Sequence, residues 1–112
     1  MSIPASDPAR VFAALSDPTR RQLVDWLASG ETGTATDFAA RLPITRQAVA
    51  RHLGELADAG LVVATRHGKE MRYRLVPEPL GEAGSWLQQR AAMWDRALAR
   101  LADHVVESRN DA

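Results

Sequence analysis

The stretch TRQAVARHLGELADAG, residues 45–60, has the apolar spacing of an α-helix, but its charges run in the unfavourable order. Val49, Leu53 and Leu56 recur at helical spacing and define one inward stripe. Thr45 is a natural N-cap, Ile44 before it can pack on Val49 as a staple, and Gly60 suits the C-terminus. Arg46 and Arg51 stand in the first half, Glu55 and Asp58 toward the end. The helix macrodipole prefers acids first and bases last, so each misplaced charge costs roughly a few tenths of a kcal/mol. With the stripe turned inward, the outward residues are Arg46, Gln47, Ala50, Arg51 and Gly54. Cations at the positive end of a helix make sense if an anion is brought there from outside.

The flanking sequence extends the pattern on both sides. Upstream, TATD (34–37) fits a capping box with Thr34 as cap, and Phe38, Ala39 and Leu42 give that helix an apolar face. Pro43 cannot comfortably continue it, so a tight turn separates two helices across 34–59. Downstream of Gly60 the period falls to two: Leu61, Val63 and Thr65 share one side of a first strand. In the second strand Met71, Tyr73 and Leu75 alternate with Glu70, Arg72, Arg74 and Val76. HGK (67–69) is the turn between them, so 61–76 reads as a hairpin with one apolar and one basic face, ended by PEP (77–79).

Two further helices start alike. SDPAR (6–10) and SDPTR (16–20) each offer an Asp cap followed by Pro. Val11, Phe12 and Leu15 face one side of the first; Leu23, Val24 and Leu27 face one side of the second, which Gly30 closes. The C-terminal segment reads as one long helix from Leu80 or Glu82 to Glu107, with a frayed SRNDA tail. Leu87, Ala91, Trp94, Leu98, Leu101 and Val105 form its heptad stripe, flanked by Trp86 and Met93. That stripe is broad for a helix covering so small a domain, and it suits a self-complementary dimer contact.

Bulk composition narrows the class. A chain of 112 residues with 46% hydrophobic content suits one domain, taken as 1–112, with a modest core. Net charge is zero, yet between Arg41 and Arg74 seven Lys/Arg face three Asp/Glu, so a basic centre lies between acidic flanks. There is no cysteine, which excludes disulfides, thiolate metal sites and cysteine nucleophiles. MSIPASDP lacks the features of a leader, and no apolar run suits a membrane span, so a cytoplasmic protein without a membrane partner is expected. No Ser-His-Asp spacing, phosphate-cradling glycine loop or paired histidine suggests catalysis. The expectation is a protein that is not an enzyme and carries no cofactor.

Two short helices, a tight turn and then a basic hairpin make a winged helix-turn-helix: mainly α with a small β-hairpin, and dimeric through the long C-terminal helix at 80–107. In such modules the second helix enters the major groove of double-stranded DNA. Arg46, Gln47 and Arg51 are then candidates for base contacts, since Arg and Gln pair with guanine and adenine edges. Thr36 and Thr45 are candidates for phosphate contacts. Arg66, His67, Lys69 and Arg72, with Arg74 as an outlying member, are candidates for phosphate or minor-groove contacts from the wing.

ALSDPTRRQLVDWL, TATDFAARLPITRQAVARHLGELADAGLV and RHGKEMRYRL, in that order over about residues 8–76, resemble the bacterial ArsR-type (arsenical-repressor-like) transcriptional regulators. SWLQQRAAMWDRALARL resembles a subgroup with a long last helix. The resemblance implies a homodimeric repressor on a palindromic operator, with the first and last helices building the interface. Val11, Phe12, Leu15, Leu87, Ala91, Trp94, Leu98, Leu101 and Val105 are the candidate dimer residues. Members of the family often sense metals. Here the cysteines of one such site are absent, and His104 and Glu107 supply only half of another, so no metal ligand is assigned. A metal-responsive repressor using His104 and Glu107 and a winged helix that binds protein remain the alternatives. The inducer is unknown.

Overall fold

Asp7 and Asp17 begin the first two helices in the same way. Asp7 caps α1 (Pro8–Ala14) by accepting the Ala9 N–H at 3.0 Å, and Asp17 caps α2 (Pro18–Ala28) by accepting the Arg20 N–H at 3.0 Å. The proline that follows each cap lies in the first turn, where an N–H would have no intrahelical partner. The computed structural model describes residues 7–110, with side chains described through residue 106. The absence of a leader expected from residues 1–6 therefore lies outside the described residues.

Arg20 and Arg21 do work that the sequence did not suggest. Arg20 Nε donates to Ala14 O at 2.6 Å, and Arg21 Nη1 donates to Leu15 O at 2.7 Å. These guanidinium groups satisfy carbonyls left open where α1 ends, and so fasten α2 to α1. The capping box forms as expected at α3 (Ala35–Ala39): Thr34 Oγ1 accepts the Asp37 N–H at 3.1 Å, and Asp37 Oδ2 accepts the Thr34 N–H at 2.9 Å. This helix stops at Ala39, short of the expected Leu42, and turns lead through Pro43 to α4 (Arg46–Asp58). Thr45 caps α4 by accepting the Ala48 N–H at 3.1 Å. Gly60, at φ 79°, closes it: Leu61 N–H reaches Leu56 O at 2.9 Å and Gly60 N–H reaches Ala57 O at 2.9 Å, the paired bonds of a Schellman motif.

That closure corrects the phase of the first strand. Leu61 is taken up by the helix end and is fully buried, so β1 (Val62–His67) begins one residue later than expected. It pairs antiparallel with β2 (Glu70–Leu75) through the two-residue turn Gly68–Lys69, with Gly68 at φ 64° as a II′ turn requires at its first position. The register sets Val62 opposite Leu75, Ala64 opposite Tyr73 and Arg66 opposite Met71 on one face. Val63 and Thr65 lie on the other face with Arg74 and Arg72, instead of with the apolar residues. The basic residues are thus divided between the two faces, where the sequence suggested one basic face.

Gly33 adds a short third edge to this sheet. Its N–H meets Tyr73 O at 3.3 Å and its carbonyl accepts the Tyr73 N–H at 2.8 Å, tying β2 to the start of α3. On its other side Gly33 lies close to α3: a Cβ placed there would lie 3.1 Å from Phe38 Cζ. The Phe38 ring is itself held against Trp26 at 6.0 Å between centroids, and Arg41 caps the Trp26 ring at 3.9 Å.

Val11, Leu23, Leu27, Phe38, Val49, Leu53, Leu56, Leu61 and Val62 form one core, joined by Ala83 from the last helix. Ile44 packs against the same core. The last helix, α5 (Glu78–Asn110), starts earlier and ends later than expected and runs for 33 residues, about 50 Å at 1.5 Å per residue. Pro79 sits in its first turn, so the PEP segment both ends β2 and starts the helix. Ser108 to Asn110, expected to fray, continue the helix.

Gly33→Ala should destabilise the fold by about 1–3 kcal/mol, because the stacked Phe38 ring has little freedom to retreat. Urea unfolding measures this, and an unchanged midpoint would show that the ring yields. Asp17 and Asp37 have pKa values held below the ordinary 3.8, mainly by the Arg20 and Thr34 backbone N–H groups respectively. Their stabilisation is therefore present above pH 3.8 and lost as pH falls through the lowered folded values. Asp37→Asn should flatten the acid limb of a stability-against-pH curve.

Candidate nucleic-acid interface

Burial decides which way α4 faces. Val49, Leu53 and Leu56 are each 0% exposed, so the opposite side of the helix must look outward. Arg46, Gln47 and Arg51 are exposed there, with Ala50 and Gly54 half-buried in line with Arg46. A Cβ on Gly54 would meet nothing within 4 Å, so internal packing gives no reason for a glycine in mid-helix. Glycine at such a position destabilises a helix by about 0.5–1 kcal/mol relative to alanine. Close approach by an external surface supplies a reason.

Arg46 is held before any ligand arrives. Its Nε donates to Thr36 Oγ1 at 3.1 Å, which leaves both Nη groups able to address a base edge together. Thr36, a candidate for phosphate contact, accepts this bond on its hydroxyl oxygen, which leaves its hydroxyl proton able to donate as well. Thr45 is exposed, and its oxygen accepts the capping N–H, so its hydroxyl proton remains available to a phosphate.

Between α3, the start of α4 and the wing lies an open groove of about 310 Å³. Thr36, Arg46 and Ala50 line one side of it, and Lys69, Met71 and Tyr73 line the other. The bridge from Gly33 to Tyr73 fixes that spacing. The lone glycine in TGT, just before the capping threonine, was the available signal for this contact, and sequence reasoning missed it. At the wing, His67 and Lys69 are exposed, while Arg66 Nε donates to Gly68 O at 3.2 Å and braces the turn. Arg72 is half-buried, and its charge contributes to the lowered pKa of Asp37 after the two hydrogen bonds from Thr34.

Other basic residues serve the fold. Arg41, counted in the basic block, makes two bonds of 2.8 and 2.9 Å to Glu31. His52 faces inward to α2, with Nδ1 3.4 Å from Arg20 Nη1 and 3.8 Å from Asp17 Oδ2.

The candidate dimer residues separate into two groups. Val11 has no exposed surface and belongs to the protomer core, which corrects its assignment to the interface. Phe12 and Leu15 are half-buried, and Phe12 meets Trp86 edge-on at 5.8 Å. Leu87, Trp94, Leu98, Leu101 and Val105 are exposed, and so is Ala91. His104 is exposed on the same helix, and the side chain of Glu107 lies outside the described residues. No helix among the described residues is long and apolar enough to cross a membrane.

A short helix, a tight turn, a second helix with a basic outward face and a hairpin beside it define a winged helix-turn-helix, a DNA-binding class. A helix-turn-helix domain family matches residues 15–64. The chain is 35% identical over 77 residues to the transcriptional repressor SdpR of Bacillus subtilis, covering 69% of this chain and 84% of that protein. An ArsR-like transcriptional regulator from Rhodococcus sp. RHA1 superposes with a TM-score of 0.74 at 41% identity, covering 84% of this chain and 88% of the other. The homodimeric winged helix-turn-helix DNA-binding domain Mb0332 of Mycobacterium bovis, a possible ArsR-family regulator, gives 0.60 at 28% identity, covering 75% and 77%. The chain belongs to the ArsR-type family of winged helix-turn-helix transcriptional regulators.

Gly54→Ala separates the two demands on α4. It should raise stability by about 0.5–1 kcal/mol while weakening DNA binding. Thermal unfolding and a binding titration on one preparation test this, and a stabilised variant with undiminished affinity would remove the close-approach argument. Arg46→Ala should relax base preference at one position, at a cost of about 1–3 kcal/mol. Thr36→Val should give a smaller effect at the same position, as expected of a residue that orients Arg46.

Proposed function

We propose that this regulator is a homodimeric repressor that binds a palindromic operator in double-stranded DNA in the cytoplasm. Arg46, Gln47 and Arg51 read bases from the major groove. Thr45, Arg66, His67, Lys69 and Arg72 engage phosphate or the minor groove, and Thr36 holds Arg46 in place. The observation that carries this reading is the basic outward face of α4, fixed in rotation by the core and set beside the wing. A winged helix that docks on protein would be expected to present an apolar or acidic face there.

The dimer reading rests on α5. Trp94 is 64% exposed and Leu101 59%, and the stripe continues through Leu87, Leu98 and Val105. A contiguous apolar surface of this kind is not what a soluble monomer leaves in water. A helix that merely covered its own core would bury Trp94. The homodimeric domain from Mycobacterium bovis supports a two-fold assembly, and so does the self-complementary heptad spacing. Two copies would set their α4 helices in half-sites about 34 Å apart, one turn of DNA. The kinship with SdpR favours repression.

Trp94→Asp and Leu98→Asp should each give folded monomers by light scattering with unchanged far-ultraviolet circular dichroism, because neither side chain supports the protomer core. Operator affinity should fall with the dimer. A dimer that persists in both variants would move the interface away from α5.

A further inference from the structure

One guanidinium meets three segments of the fold. Arg20, near the start of α2, donates through Nε to Ala14 O at 2.6 Å and through Nη2 to Ala13 O at 3.3 Å, both at the end of α1. Its Nη1 lies 3.4 Å from Nδ1 of His52, halfway along α4. An arginine only donates, so Nδ1 is the acceptor of this contact. Asp17 completes the group: its Oδ2 accepts the Arg20 N–H at 3.0 Å and lies 3.8 Å from the same Nδ1. His52 is half-buried on the side of α4 turned toward α2, next in sequence to the exposed Arg51. Among the described residues, no other hydrogen bond or ion pair joins α4 to α1, α2 or their caps.

The two helices joined in this way have different duties. α1 rests on α5 through Phe12 and Trp86, 5.8 Å apart, and α5 carries the proposed dimer contact. α4 carries Arg46, Gln47 and Arg51. The Val49–Leu53–Leu56 stripe fixes the rotation of α4, but packed helices still slide over one another by small amounts. Burial of apolar area is non-directional and does not single out one offset. A hydrogen bond has a preferred length and angle, so it does. We infer that the Arg20–His52 contact fixes the offset of the reading helix from the dimer axis, and so sets which half-site spacing the regulator accepts. The inference rests on the proposed dimer on a two-fold operator. His52 is a positioning residue in this scheme: it holds α4 against a guanidinium already tied to the dimer side of the protomer. Adding one base pair between half-sites moves them apart by about 3.4 Å and turns one against the other by about 35°. A protomer that follows must strain or break the contact. One hydrogen bond is worth about two- to tenfold in an equilibrium constant. Loss of the contact should therefore reduce the penalty for a wrong spacing by about that factor per protomer.

The test uses full-length protein and a duplex recovered by random-pool selection, with copies one base pair longer or shorter between the half-sites and a single half-site as control. His52→Leu keeps bulk and removes the acceptor; His52→Gln offers Arg20 an amide oxygen in its place. Wild type should bind the selected spacing best and lose affinity on both altered duplexes. In His52→Leu that loss should shrink by about two- to tenfold per protomer, while affinity for the single half-site and the dimer seen by sedimentation stay as in wild type. His52→Gln should restore the discrimination. If His52 serves only the protomer fold, His52→Leu will weaken binding to every duplex alike and keep the ratio between spacings, and that result overturns the inference. A wild-type dimer that accepts all three spacings equally overturns it too. A double-mutant cycle of Arg20→Met and His52→Leu, read by urea unfolding, checks the contact without DNA. The two effects should sum to more than the double variant loses, and strict additivity would dismiss the contact as a tie. Failure of the underlying reading looks different: a wild type that sediments as a monomer removes the dimer, and the spacing effect with it, whatever the cycle shows.

Discussion

Three side chains fix the rotation of α4, and everything functional follows from that rotation. Val49, Leu53 and Leu56 have no solvent exposure. Turning the helix by one residue, about 100°, would expose part of that stripe. Each fully buried apolar side chain is worth about 1.5–3 kcal/mol relative to exposure, so the core dominates the few tenths lost by placing Arg46 and Arg51 against the dipole. The unfavourable charge order can therefore persist at the surface without threatening the fold.

The same balance explains both ends of α4. At its start, Thr36 holds the Arg46 guanidinium outward, and no acidic side chain stands in the first turn to neutralise the helix terminus. That leaves a concentrated positive field for a phosphate backbone to complete. At its far end, Glu55 and Asp58 line an open groove of about 300 Å³ that also includes Arg10 and Arg20. The acids that are poorly placed for the dipole thus face cations from α1 and α2, on the side of the helix remote from the candidate DNA surface. A local rule broken in a functional element, and offset elsewhere, is expected of an evolved sequence.

Local chemistry made much of the fold legible. Asp-Pro caps, the Thr34–Asp37 box, the Thr45 cap and the Val49–Leu53–Leu56 stripe each act within a few residues, so sequence spacing alone identifies them. The errors lie where distant segments meet. The phase of β1 depended on Leu61 being claimed by the end of α4, and the division of basic residues over two wing faces followed from that phase. Val11 carries the same apolar side chain whether it faces a core or a partner, and only its complete burial assigned it to the core. The roles of Arg20, Arg41 and Gly33 arise from contacts made across the fold, which no spacing in the chain encodes. On α5 the heptad stripe was visible, but its exposure was what distinguished an interface from a cover.

Selection of bound duplexes from a random DNA pool tests the central claim most directly, because it makes no assumption about the operator. The account predicts a two-fold symmetric consensus with half-site centres about one helical turn apart, and specified bases confined to the segments facing Arg46, Gln47 and Arg51. Recovery of no consensus, or of a single asymmetric site bound by one protomer, would contradict it.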